Sequence, residues 1–131
     1  MCNLYSVTKG QSAIRDLFSV KQDRAGNLPL MPAIFPDQMA PIVRMSAEGG
    51  RELVTARWGM PGPPQYGGAS ITNIRNVKNA HWRGWLGNRN RCIVPAASFC
   101  GIPRHEAAQD AHLVRFGGGR PLFAFAGLRT S

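Results

Sequence analysis

Acidic side chains are scarce in this chain: seven Asp and Glu stand against sixteen Lys and Arg in 131 residues, a formal net charge of +9. Cysteine is scarce too. There are three, Cys2, Cys92 and Cys100, an odd number with no C-x-x-C pair, which argues against zinc and against a disulfide framework. "HEAAQDAH" lacks the second metal ligand of a metalloprotease helix, because Gln109 stands where that histidine belongs. His112 comes seven positions after His105, with no third ligand in view. The chain is therefore expected to hold no metal and no cofactor. No run of about 18 apolar residues exists, so no membrane span is expected. A basic segment leading into an apolar one is missing at the N-terminus, so no secretory signal is expected. The expected place is the cytoplasm, at the nucleoid, with reduced thiols.

What is present suits one domain over 1–131. Hydrophobic residues make up 44% of the chain, enough for a core, while ten prolines and fifteen glycines favour turns over long helices. "TKGQSAIRDLFSV" reads as a short helix with a capping box at Thr8 and Gln11 and an apolar face of Ala13, Ile14, Leu17 and Phe18. "KQDRAGN" reads as a polar loop. Prolines at 29, 32, 36 and 41 make "PLMPAIFPDQMAP" extended and keep it out of a central strand. "PIVRM" and "RELVTARWGM" read as strands joined by a turn at "SAEGG". "HWRGWL" reads as a helical turn, "RCIVPAASF" as an apolar strand, and "HLVRF" with "PLFAFAGL" as a last hairpin. The expected fold class is α+β with mainly antiparallel strands.

The charge is uneven. Residues 1–74 carry seven basic and five acidic groups, or +2; residues 75–131 carry nine and two, or +7. Such a chain either meets a polyanion, with nucleic acid the default, or is generically basic. The densest polar run is "TNIRNVKNAHWRGWLGNRNR", with Trp82 and Trp85 among Arg75, Lys78, Arg83, Arg89 and Arg91. Cations that track phosphates, with rings that stack on bases, make a single-stranded nucleic-acid groove. Alternatively the tryptophans are core and the arginines a solvated rim; the spacing of 82 and 85 puts at least one in the core. Cys2, directly behind the initiator, either packs a first strand or, once Met1 is removed, presents a free α-amine and thiol on one residue.

Five segments in order, "MC", "ARWGM" at 56–60, "TNIRN" at 72–76, "HWRGWLGNRNRCIVPAASF" at 81–99 and "PLFAFAGL" at 121–128, resemble the SRAP domain family. These are the SOS response-associated peptidases, or abasic-site processing proteins. The resemblance implies an SRAP-like pseudo-barrel and single-stranded DNA with abasic sites as partner. It implies that Cys2 is the nucleophile, forming a covalent DNA–protein crosslink as a thiazolidine. Loss of the residue ahead of Cys2, the family's autopeptidase step, would be served here by methionine removal. By the same resemblance Asn73 bonds the opened sugar, Arg75 a phosphate and Arg83 the DNA. Trp58 and Met60 resemble the wedge beside the lesion, and Pro41 a proline lining the pocket.

The sequence departs from the family in several places. Gly101 stands where the family has a glutamate that moves protons, and Glu106 follows five residues later. The chain ends before the region of the family's C-terminal histidine, which neither His105 nor His112 matches. Asn3 and Leu4 replace the usual glycine and arginine. Residues 101–120 do not resemble the family although their flanks do, as compensating frameshifts would produce. The expectation is thus a partial domain, slow to crosslink, marginally stable alone or self-associating through an unpaired edge at "PLFAFAGL". The alternatives are a relative that binds single-stranded DNA without covalent chemistry and an inactive remnant. A thiol peptidase acting on other proteins is a fourth, and no histidine is placed by any motif to activate its cysteine. Cys92 and Cys100 read as buried structural thiols.

Overall fold

The computed structural model describes residues 2–101, 112–115 and 121–130. His105, Glu106 and most of the stretch 101–120 lie outside the described residues. Two sheets form the fold. In the first, β1 (Cys2–Val7) lies between β3 (Met31–Ile34) and β7 (Ser98–Gly101), and β8 (His112–Arg115) pairs with β7. All three pairings are antiparallel. The second runs β2 (Val20–Asp23), β5 (Arg51–Arg57), β4 (Met39–Met45), β6 (Arg91–Ala96), β9 (Phe123–Leu128). Here only the β2–β5 pairing is parallel. Short 3₁₀ turns at Pro64–Tyr66, Ala80–Trp85 and Asn88–Asn90 and one helix, α1 (Gln11–Leu17), complete the described elements. The fold class is α+β with mostly antiparallel strands, as expected.

Apolar positions of both sheets meet in one core, with Tyr5, Val7, Ile34, Val43, Leu53 and Ala96 among its buried residues. The β4–β5 hairpin is continuous from Met39↔Arg57 to Met45↔Arg51. Its turn closes by a Ser46 N–H bond to the Gly50 carbonyl (2.9 Å). Gly49 and Gly50 take φ of 86° and 84° there, which glycine adopts without a β-carbon clash.

Several sequence expectations are corrected. "RCIVPAASF" is two strands in different sheets, β6 and β7. The chain changes sheet at Ala97, whose N–H donates to the Ser6 carbonyl (2.7 Å). Ala96 and Ala97 are fully buried, so little side chain obstructs the crossing. Beside it the Ser6 and Ser98 hydroxyls bond each other, so neither buried oxygen is left unsatisfied.

"HLVRF" and "PLFAFAGL" do not form a hairpin: β8 pairs with β7 and β9 with β6. Pro41 sits inside β4, a central strand, contrary to the reading of its segment. It is registered only to Thr55 of β5, while β4 and β6 share the single pair Val43↔Ile93. A residue with a ladder on one side can lack a donor on the other. "KQDRAGN" begins as strand, because Val20–Asp23 adds to the sheet's edge beside β5.

The capping box is absent. Gly10 is the N-cap and no side chain caps the helix. Gln11 instead ties down the loop after β2, donating to Asp23 Oδ2 (2.6 Å) and the Gly26 carbonyl (2.8 Å) and accepting from the Leu28 N–H (3.0 Å). Ile14 and Phe18 are buried, but Leu17 is 55% exposed, so the apolar face is narrower than expected.

Candidate functional site

Along the second sheet lies a groove of about 1070 Å³. Tyr5 of β1, Trp58 and Met60 just past β5, and Asn73 frame one end. Local structure explains why these side chains converge. Met60 and Ile71 exchange backbone hydrogen bonds, each 2.8 Å, closing residues 61–70 into a loop and bringing 72–74 back beside β5. Gly59 has φ of 146°, and a β-carbon there would collide with the Ser70 hydroxyl. At Gly62 a β-carbon would strike the Ala69 carbonyl. The loop closes because both positions lack side chains.

Trp58 is held on two sides. Its indole N–H donates to the Thr72 carbonyl (3.2 Å), and its ring meets Tyr5 edge-on at 5.1 Å. Tyr5 also meets Phe125 edge-on at 5.9 Å. Asn73 is half-buried, its amide donating to Thr72 Oγ1 at 3.1 Å. A base or sugar entering this end meets an apolar, aromatic wall with one amide beside it.

Trp58, Met60 and Asn73 are thus brought together. Arg75 and Arg83 are exposed and lie outside the groove's lining. The Pro41 side chain is fully buried, and its neighbours Ala40 and Ile42 line the groove. Trp82 is a core residue at 6% exposure. Trp85 is half-buried, and both rings pack on His81, at 4.6 and 5.5 Å. His81 is itself fixed by a 2.8 Å bond between Nε2 and the Pro61 carbonyl. This aromatic cluster buttresses the loop and lies outside the groove's lining.

Cys2 opens β1 opposite Gly101 of β7. Tyr5 in the groove wall is three positions, about 10 Å, further along the strand. The position directly across from Cys2 is thus Gly101, the position at which the sequence reads as departing from the family.

Sequence reading placed Arg91 in a candidate nucleic-acid groove but missed Tyr5, Arg44, Arg57 and Arg129. All four arginines line the groove, and among the described residues no carboxylate does. The signal for Arg44 was its place in an otherwise apolar strand, where a charge must reach solvent or a partner. Arg44 reaches both: its Nε donates to Glu52 Oε1 at 2.8 Å, and Arg24 stands 3.4 Å from the other oxygen of that buried carboxylate.

Cys92 is half-buried and lines the groove, rather than lying within the core. Burial pushes its thiol pKa up, against a downward pull from Arg129. Cys100 is likewise half-buried, and both thiols are free. Among the described residues no group of three or more His, Cys, Asp or Glu could hold a metal ion, and no helix is long and apolar enough to cross a membrane.

A family model described as SOS response associated peptidase (SRAP) matches residues 1–131. Among solved structures the chain is similar to the crystal structure of a protein from Bordetella bronchiseptica. The two are 25% identical with a TM-score of 0.59, over 97% of this chain and 63% of that one. The chain thus spans less than two thirds of that solved protein's length. No curated protein sequence matches it.

Proposed function

As the chain belongs to the SRAP family, we propose that it acts in the DNA damage response by capturing abasic sites in single-stranded DNA through Cys2. The observation that carries this reading is the course of β1. It starts at Cys2 and runs to Tyr5, in the groove end shared by Trp58, Met60 and Asn73.

The chemistry follows from the groups. With Met1 removed, Cys2 has an α-amine whose ordinary pKa of about 7.7–8.0 leaves part of it unprotonated at neutral pH. The abasic deoxyribose opens to an aldehyde. The amine adds to that carbon and water leaves, giving an imine. The thiol, in its thiolate form, then adds to the imine carbon. The nitrogen takes up a proton, and a five-membered thiazolidine closes. Asn73 is assigned to the opened sugar, and Trp58 with Met60 to the bases beside it. Arg75 and Arg83, on the exposed surface, are assigned to phosphates.

One observation favours a second reading, a relative that binds single-stranded DNA without closing the covalent bond. The residue opposite Cys2 is Gly101, so no carboxylate is supplied from that position to move protons.

The test is a denaturing gel of the Met1-processed chain with a single-stranded oligonucleotide carrying one abasic site, beside Cys2→Ala and Cys2→Ser. A shifted band lost in both variants is expected. A folded wild type that gives no band, yet retards the oligonucleotide on a native gel, would establish the second reading.

A further inference from the structure

At the end of the groove away from Asn73, the seam between β4 and β6 opens. The two strands share only the pair Val43↔Ile93, and beyond it lies a pocket of about 270 Å³. Arg44, Arg51 and Arg91 frame it, with Asn88 and Cys92 in its wall. The pocket shares Arg44, Arg91, Cys92 and Ile93 with the groove, so the two are one continuous surface.

Each guanidinium is anchored through one nitrogen. Arg44 Nε donates to Glu52 Oε1 (2.8 Å), Arg51 Nη1 to the Phe18 carbonyl (2.8 Å), and Arg91 Nε to the Leu86 carbonyl (3.1 Å). Among the described residues no further hydrogen bond engages their remaining N–H groups. Glu52, beneath Arg44, is the one described carboxylate that touches any of the three. It is shared with Arg24, and it does not line the pocket.

We propose that this pocket is a phosphate subsite. Three forks held apart on three strands offer more donors than one carboxylate can accept, whereas a phosphate presents an oxygen to each. Anchoring through a single nitrogen orients each fork before the ligand arrives, which lowers the ordering cost of binding. Two sources can supply the group: the backbone of a nucleic-acid strand lying along the groove, or free phosphate. The first rests on the reading above. Along β4, Ala40 at the groove's other end and Arg44 are four residues, about 13 Å, apart. A strand held at Asn73 would thus reach the pocket within a short length.

The test uses Arg51→Gln/Arg91→Gln, both exposed positions, with Arg51→Lys/Arg91→Lys as the variant that keeps charge but loses the forks. Arg44 is left in place because it pairs the buried Glu52. In one arm, inorganic phosphate is titrated against the melting temperature at constant ionic strength. In the other, affinity for an undamaged single-stranded oligonucleotide is measured across salt concentrations.

Phosphate is expected to raise the wild-type melting temperature and leave the Gln variant unmoved. Oligonucleotide affinity is expected to fall about tenfold in that variant, with the Lys variant intermediate. The salt slope should shrink by about 0.7 for each phosphate that the variant no longer neutralises. A change in the oligonucleotide arm alone assigns the phosphate to the strand. A change in the phosphate arm alone assigns it to the free ion. Wild type and Gln variant alike in both arms, with both folded, overturn the proposal. Crosslinking by Cys2 is read separately, so its failure leaves the phosphate arm standing.

Discussion

Cys2 and Gly101 face each other across the β1–β7 ladder, and that pairing sets the chemical prospects of the site. A carboxylate at position 101 would be the cross-strand neighbour of the proposed nucleophile. Gly101→Glu is therefore expected to speed crosslinking to an abasic site by at least about tenfold, from the proton transfers a placed carboxylate assists. The time course on a denaturing gel measures this, and an unchanged rate would remove position 101 from the account. Cys92 gives a second prediction at this scale. Because burial raises its pKa, iodoacetamide should alkylate it with a pH midpoint above that of an ordinary thiol, as mass spectrometry of the labelled peptide would show. The folded state holds that proton more tightly. The resulting stabilisation stands below the ordinary thiol pKa and fades as pH rises through the folded value.

Among the elements, the loop from Gly59 to Thr72 fixes the site most directly. It depends on backbone approaches that admit no β-carbon at Gly59 or Gly62. Gly59→Ala should push Ser70 away, loosen the Met60–Ile71 pairing, and lower crosslinking by about tenfold or more, since misplacement of about 1 Å can cost more than that. A crosslinking rate equal to wild type, with an unchanged melting temperature, would contradict this.

The same elements show what the sequence could reveal. The strand-like runs "PIVRM" and "RELVTARWGM" and the "SAEGG" turn made the β4–β5 hairpin legible, because its determinants are local. The parting of β6 from β7 at Ala97 was hidden inside one apolar run, since both halves are buried and only tertiary pairing separates them. Likewise β8 and β9 follow each other closely in sequence yet join different sheets. Gln11 matched a capping pattern but found better partners in Asp23, Gly26 and Leu28. In the site, Trp58, Met60 and Asn73 were identifiable by resemblance to a family. Tyr5 and the four groove arginines come from five separate segments, and only the fold assembles them.

At the scale of the molecule, two sheets enclose one core, and a basic groove runs along the second sheet with Tyr5 of the first in its wall. Core and groove share strands: Leu53 of β5 is fully buried, while Thr55 and Arg57 of the same strand line the groove. Leu53→Ala should cost about 2–5 kcal/mol by denaturant unfolding and weaken DNA binding only through the lost folded fraction. A loss of affinity persisting under conditions where the variant is fully folded would show that the sheet transmits core packing to the groove.

If the N-terminal aminothiol is the reacting group, peptide mapping of the adduct will locate the bond at Cys2. The Met1-processed chain is incubated with an abasic single-stranded oligonucleotide, treated with borohydride, digested and weighed. One adducted peptide beginning at Cys2 is expected, at the mass of peptide plus open sugar less one water. That mass should not increase by the hydrogens borohydride adds to an imine, and the adduct should be absent from Cys2→Ala. An adduct on a lysine or on Cys92, or one that survives in Cys2→Ala, would contradict that assignment.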